Sequence, residues 1–275
     1  MTELSWGRRY LMCPPEHFQV LYEINPWMHR EVSVDLEAAR AQWEALVSLL
    51  EKAGASVELV RPVEDLPDMV FTANAGVVDG ARFVASRFLH PEREAESGHF
   101  ARWFSKRGFG VDEFPPGVHL EGAGDALAFG DRLVAGYRIR SDFAAHSWLS
   151  SLLSAEVLSI ELIDPRFYHI DLTFCPLSQR AAMIYPQAWD RYGREALARV
   201  VPEPVVLETG EAESFCANSV VVGNLVIMPA CTARLGKELE ALGFDIAVTP
   251  VDEFLKAGGG VRCLTLALDV DLRRK

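Results

Sequence analysis

The sequence predicts an α/β protein, a five-fold pseudosymmetric α/β propeller of five ββαβ-type repeats. Three observations carry this expectation. First, one unit recurs: a polar residue, an apolar strand, a turn and a second apolar strand, as in Asn74-Ala-Gly-Val-Val-Asp-Gly-Ala-Arg-Phe-Val-Ala-Ser86. Second, the leading residues fall at 74, 125, 171, 218 and 263, at intervals of 51, 46, 47 and 45. That period fits one supersecondary unit per repeat. Third, each of the first four hairpins is followed by a segment of helical periodicity and then another short strand. The fifth unit, begun by Cys263-Leu-Thr-Leu-Ala-Leu-Asp269, takes its second strand from residues 8–13. A ring closed by its own termini is therefore expected, as one domain over 1–275 with no internal linker.

In chain order, Arg8-Arg-Tyr-Leu-Met-Cys13 reads as that shared strand. Residues 14–28 carry Pro14, Pro15, Phe18, Tyr22, Pro26 and Trp27, too much proline and aromatic for a helix. Such a segment serves equally as a cover over a site or as a connector. Ser33 is read as the cap of a helix running to about Gly54, with Leu36, Ala39, Trp43, Leu46, Val47 and Leu50 on one face. Ser56–Arg61 alternates as a strand. Hairpins follow at 74–86, 125–136, 171–184 and 218–228. Helices are expected at about 92–107, 142–154, 187–200 and 232–242, with strands after them such as Val205-Val-Leu207 and Asp245-Ile-Ala-Val248.

Composition narrows the function. Hydrophobic residues make up 49% and charged residues 24%, a globular balance, and the formal charge is −12 from 27 basic and 39 acidic residues. No basic block interleaves with aromatics, so a nucleic acid is not the expected partner. An acidic surface mildly favours a small cationic ligand, although salt screens much of that field. The five cysteines, at 13, 175, 216, 231 and 263, are scattered and include no CxxC pair. They suggest neither a disulfide framework nor a metal site. No stretch approaches the ~20 apolar residues of a membrane span, and the first residues lack a signal-peptide core. Cytoplasmic location and no membrane partner are the expectations, and a homodimer is the commonest assembly for such a chain.

If each leading residue begins an equivalent strand, then Asn74, Asp125, Asp171, Asn218 and Cys263 converge at one end of the axis. A symmetric polar plug satisfies the same pattern, and Asn218 in particular fits it. In Gly258-Gly-Gly-Val-Arg-Cys263 the glycines allow close backbone approach to a ligand. The thiol after them is either a nucleophile or a buried core cysteine. Tyr168-His169-Ile-Asp171 places His169 and Asp171 on one side of a strand, and Leu120-Glu121-Gly-Ala-Gly-Asp125 brackets a turn with carboxylates. A lone histidine is often structural, but near a thiol it can move protons. Paired carboxylates match a planar guanidinium, whereas an anionic substrate would be repelled by Glu121, Asp125 and Asp171. Arg87 and Arg140, each just past a second strand, are either surface charges or the groups that hold a substrate carboxylate.

Taken together, Pro67-Asp68-Met-Val-Phe-Thr-Ala-Asn74, Leu120–Asp125, Tyr168–Asp171 and Gly258–Cys263 resemble the guanidino-group-modifying enzymes of the pentein fold. That group includes arginine deiminases, dimethylarginine dimethylaminohydrolases, amidinotransferases and arginine dihydrolases. The resemblance runs in order through essentially the whole chain. It implies Cys263 as nucleophile, His169 as general acid and base, and Glu121 and Asp171 on the guanidinium, with Asp68 lining the site. It also implies Arg87 and Arg140 at the substrate carboxylate, and no metal or organic cofactor. Asn74 stands where many deiminases and dimethylaminohydrolases carry Asp, and Phe71-Thr-Ala-Asn74 looks like the arginine dihydrolases. An Asp there would repel the oxygen of a urea product, while Asn offers both a donor and an acceptor for a second attack. Met12-Cys-Pro-Pro-Glu-His17 and Ile24-Asn25-Pro-Trp-Met28 also resemble the amidinohydrolase region of cyanobacterial arginine dihydrolases, with Asn25 able to reach substrate if the loop folds over it. The expected function is thus an arginine dihydrolase releasing ornithine, ammonia and carbon dioxide through citrulline. A single-step deiminase or dimethylaminohydrolase is the alternative, and a non-catalytic partner-binding pentein, opposed by the intact Cys263 and His169, is the remote one.

Overall fold

The computed structural model describes residues 3–273. Its strands form five separate three-stranded sheets. The chain opens with β1 (Arg9–Met12), α1 (Leu36–Lys52) and β2 (Ser56–Leu59). Next come β3 (Gly76–Asp79), β4 (Arg82–Ala85), α2 (Pro91–Ser105) and β5 (Gly110–Glu113). A one-turn helix, α3 (Gly122–Asp125), leads to β6 (Ala126–Phe129), β7 (Arg132–Tyr137), α4 (Phe143–Leu153) and β8 (Glu156–Glu161). The third group is β9 (Phe174–Pro176), β10 (Ala181–Ile184), α5 (Arg191–Val200) and β11 (Glu203–Val206). Then α6 (Thr209–Glu213) precedes β12 (Val220–Val222), β13 (Leu225–Met228), α7 (Ala233–Ala241) and β14 (Asp245–Val248), and the chain closes with α8 (Asp252–Leu255) and β15 (Leu266–Ala267).

Every sheet is wired alike. An inner strand pairs antiparallel with a central strand, across a short turn in four sheets and between the two ends of the chain in the fifth, and the central strand pairs parallel with an outer one. The parallel step needs a long connection, which one amphipathic helix per unit supplies. Inner strands β3 and β6 are buried throughout, whereas outer strands β2, β5 and β14 are exposed at both ends and only partly covered between. The core therefore lies along the inner and central strands. The fifth sheet has the order β15-β1-β2, so the N-terminal strand completes the C-terminal unit, with Tyr10 opposite Ala267 and Leu11 opposite Leu266. Asp269 clamps this junction by accepting from the N–H groups of Gly7 (3.0 Å) and Arg8 (2.8 Å).

Two expectations about element ends are corrected. The cap of α1 is Asp35, not Ser33: its carboxylate accepts from the N–H groups of Glu37 and Ala38. Residues 187–190 do not belong to α5. Pro186–Ala188 is a separate 3-10 turn, and Asp190 caps the helix by accepting from Tyr192 and Gly193. The 14–28 segment has no regular secondary structure but is packed, with Phe18, Val20 and Met28 buried. No helix among the described residues is long and apolar enough to cross a membrane.

Candidate active site

The leading residues of the repeats do not begin strands. They sit on tight turns just before them: Asn74 on the 3-10 turn Thr72–Ala75, Asp125 at the end of α3 and Asp171 on the 3-10 turn Ile170–Leu172. Cys263 lies in a turn three residues before β15, and Asn218 just after the turn 214–217. On these turns, groups from different repeats meet. Thr72 Oγ1 donates to the carbonyls of Leu11 (2.9 Å) and Leu264 (3.0 Å), and Ala73 N–H donates to Cys263 C=O (3.1 Å), which locks the first repeat to the fifth.

Cys263 is 3% exposed. Its sulfur lies 3.2 Å from Asn218 Nδ2 and 3.5 Å from Asp171 Oδ2. Burial pushes the thiol well above its ordinary range, and the neighbouring Asp171 adds to this. Burial also pushes the Asp171 carboxyl up, to about 7, although Arg262 opposes the shift. Asp171 Oδ1 and Asp68 Oδ1 are both buried with no hydrogen-bond partner among the described residues. Burial raises Asp68 as well, with Arg93 opposing. Buried carboxylate oxygens left without donors suit a cationic, donor-rich guest.

His169 Nε2 lies 2.8 Å from Glu121 Oε2, and Arg140 Nη1 donates to the same oxygen at 2.8 Å. Burial alone would raise Glu121, but Arg140 and His169 hold its carboxyl well below the usual carboxylate range. The expected common side for His169 and Asp171 is corrected here. His169 is extended, but Asp171 lies in the following turn, so His169 meets Glu121 while Asp171 meets the thiol. Asp125 is engaged by the protein itself. Its oxygens accept from Ser141 Oγ (2.6 Å) and Ile170 N–H (3.0 Å), so it braces the His169 turn. Burial pushes its carboxyl up to about 6.

Asn74 is sandwiched. Its Oδ1 accepts from Arg93 Nη1 (3.0 Å), and its Nδ2 donates to Glu121 C=O (3.2 Å). A Cβ at Gly124 would stand 2.3 Å from Asn74 Nδ2 and 3.2 Å from His169 Nδ1, so only glycine fits between them. Of the two arginines expected at a substrate carboxylate, Arg140 is at the site, buried, with Nη2 also donating to Ile24 C=O (2.8 Å). Arg87 is instead partly exposed and lines a separate cleft with Glu94, Ser97, Glu113 and Phe114. The second buried guanidinium is Arg93, which also forks onto Glu96 (2.8 and 2.9 Å) and reaches Asp68 C=O (3.2 Å). Sequence reading missed Arg93 because Pro91-Glu-Arg93-Glu-Ala-Glu96 looks like a solvated helix start. The usable signal was the i, i+3 Arg/Glu pair on a helix whose other charged residues face water.

Asn25 does not point at the thiol. Its Nδ2 donates to Ala257 C=O (3.1 Å) and its Oδ1 accepts from Trp27 N–H (2.9 Å), while Trp27 Nε1 donates to Arg166 C=O (2.8 Å). The 14–28 segment is thus tied down from three sides, by the 257–258 turn, Arg166 and Arg140.

Comparison with known proteins follows the same lines. The solved N-terminal domain of ArgZ, described as an arginine dihydrolase from the ornithine-ammonia cycle in cyanobacteria and bound to product, superimposes with a TM-score of 0.93. The two are 42% identical, covering 96% of this chain and 98% of that domain. The α/β architecture they share defines the class. A family model described as N,N dimethylarginine dimethylhydrolase, eukaryotic, matches residues 20–270, and the chain belongs to that family. The N(G),N(G)-dimethylarginine dimethylaminohydrolase of Mycobacterium tuberculosis is 39% identical, over 95% of this chain and 86% of its own length. The bifunctional arginine dihydrolase/ornithine cyclodeaminase AgrE of Nostoc sp. is 44% identical over 96% of this chain. The chain spans only 38% of that relative's length.

Proposed function

We propose that this protein is a cysteine-dependent hydrolase of the arginine guanidino group that works as a dihydrolase, taking arginine through citrulline to ornithine, two ammonia and carbon dioxide. The five sheets are read as a closed five-fold ring in one domain, with the site at the end of the axis where the five turns meet. The observation that carries the reading is Asn74, whose amide faces a donor, Arg93, on one side and an acceptor, the Glu121 carbonyl, on the other. An amide can serve both a guanidinium and a ureido group, whereas a carboxylate would repel the ureido oxygen. The likeness to the ArgZ domain supports the same activity.

The substrate guanidinium sits against Asp171 and Asp68, whose orphaned oxygens accept its N–H groups. Its positive charge offsets the Asp171 carboxylate beside Cys263 and favours the thiolate over the thiol. The sulfur attacks the guanidino carbon. His169, oriented by Glu121, protonates the departing nitrogen, which leaves as ammonia, and the amidino carbon stays on sulfur. His169 then takes a proton from water as it attacks that carbon, the C–S bond breaks, and citrulline forms. A second sulfur attack on the ureido carbon expels the second ammonia; hydrolysis leaves a carbamate that loses carbon dioxide to give ornithine. Arg140 and Arg93, in place of Arg87, hold the substrate's α-carboxylate end. No metal or organic cofactor enters this scheme.

The likeness to the Mycobacterium tuberculosis relative favours one second reading, hydrolysis of methylated arginine to citrulline. Quantifying citrulline, ornithine and ammonia from arginine, and methylamines from its methylated forms, separates the two. Citrulline as the sole end product would sink the dihydrolase reading. Cys263→Ser should abolish turnover while leaving the thermal unfolding profile unchanged; substantial residual activity would refute covalent catalysis.

A further inference from the structure

We infer that Asn218 is a positioning residue for the nucleophile, a fixed amide whose N–H group faces the sulfur and selects its thiolate form. The inference rests on Cys263 being the nucleophile. Asn218 comes from the fourth repeat and has no place in the substrate cage, yet it is fully buried and its side chain hydrogen-bonds both Arg262 and Cys263 of the cysteine turn. Its Oδ1 accepts from the N–H groups of Arg262 (3.0 Å) and Cys263 (3.2 Å), and its own C=O accepts from Arg262 N–H (3.1 Å).

Those two donors decide which way the amide points. With Oδ1 facing two N–H groups, Nδ2 must face the other way, where it meets Cys263 Sγ at 3.2 Å and Asp171 C=O at 3.4 Å. Both are acceptors, and flipping the amide would set donor against donor and acceptor against acceptor. A thiolate accepts from Nδ2 more strongly than a thiol does, because the bond is then charge-assisted. The Gly260 backbone also favours the ionised sulfur. The charged and titratable groups around the sulfur are Asp171, Tyr168 and Arg262, with Arg140 and Asp68 beyond Tyr168. The anionic ones oppose ionisation, so neutral donors must counter them before substrate arrives. The glycine run is shaped to this amide as well. A Cβ on Gly260 would stand 2.7 Å from Asn218 Oδ1, closer than real side chains approach.

Asn218→Asp keeps the acceptor for the Arg262 and Cys263 N–H groups but replaces the donor with a negative oxygen; Asn218→Ala removes both. Iodoacetamide alkylation is followed by mass spectrometry of the intact chain's peptides across pH, with half-exposed Cys231 as reference in the same molecule. The Cys263 rate at neutral pH should fall in the order Asn, Ala, Asp, by tenfold or more for Asp, while the Cys231 rate stays constant. The kcat should fall in parallel with KM nearly unchanged. If Asn218→Asp does not fold, Gly260→Ala, which displaces the amide, should lower the Cys263 rate in the same way. An unchanged Cys263 alkylation rate alongside lowered Tm and kcat would overturn the inference in favour of a purely structural role. Because alkylation is read without turnover, a failure of the nucleophile assignment appears separately, as an active Cys263→Ser enzyme.

Discussion

Asp171 shows how burial and a partner's charge set the working range of the site. Its carboxyl is pushed up to about 7 by burial, yet holding a guanidinium requires the ionised form. Below pH 7 binding must expel a proton, and above it none is released. The affinity for arginine should therefore rise about tenfold per pH unit below 7 and level off above it. Calorimetric titration of arginine into Cys263→Ser, which removes the nucleophile's own titration, measures this; Asp171→Asn should flatten the profile and weaken binding throughout. Asn74 sets a different property at the same scale. Asn74→Asp pairs well with Arg93 but turns an oxygen toward the Glu121 carbonyl and toward any ureido oxygen. Product analysis should show citrulline accumulating at the expense of ornithine; an unchanged ratio would remove the structural basis for the second hydrolysis. Both residues stood out in the sequence because their motifs are local. Arg93 did not, and Asn218 read equally as a plug, because a buried arginine on a helix and an asparagine in a turn look like surface and plug until their partners, 45 and 47 residues away for Asn218 with Cys263 and Asp171, are known.

Among elements, the glycine run 258–260 works through what it allows to touch it. A Cβ on Gly258 would meet Asn25 Oδ1 at 2.8 Å and Tyr168 Oη at 2.9 Å, one on Gly259 would meet Phe71 Cε1 at 2.2 Å, and one on Gly260 meets Asn218. Each glycine thus receives a side chain from a different part of the chain, and Tyr168 Oη also donates to Gly258 C=O (2.7 Å). Gly258 adds a left-handed φ of +79°, strained for other residues. Phe71 cannot retreat easily, since Phe18 stands edge-on to it at 5.6 Å and is itself stacked on Phe254 at 5.1 Å. Gly259→Ala should cost about 1–3 kcal/mol of stability through overpacking, read by chemical denaturation. It should also lower kcat, because the turn that relieves the clash carries Cys263. A variant with wild-type kcat would show that the run tolerates displacement.

For the whole molecule, the N-terminal strand β1 is part of the core. Leu11 on β1 is fully buried against β15, and its C=O receives the Thr72 hydroxyl beside the site. Leu11→Ala should destabilise the protein by about 2–5 kcal/mol, measured by urea unfolding, with activity lost in proportion to the unfolded fraction. A cost under about 1 kcal/mol would mean that the N-terminal strand is an appendage. The repeat period, the apolar hairpins and the helix faces were legible because they are short-range patterns that must satisfy backbone hydrogen bonds and bury one face locally. The sharing of the fifth sheet between the two ends followed from counting strands against repeats. Cap positions were less legible, because Ser33 and Asp35 are both good caps and only the geometry of the chain entering α1 chooses between them. The sequence by itself determined the five units, the thiol, the imidazole and the carboxylates. Tertiary structure alone decided their pairing: His169 with Glu121 rather than beside Asp171, Asp125 as a brace, Arg93 rather than Arg87 buried against Asn74, and Asn218 on the sulfur. Those pairings join turns from different repeats, and what settles them is which buried donors and acceptors come within hydrogen-bond reach once the sheets assemble.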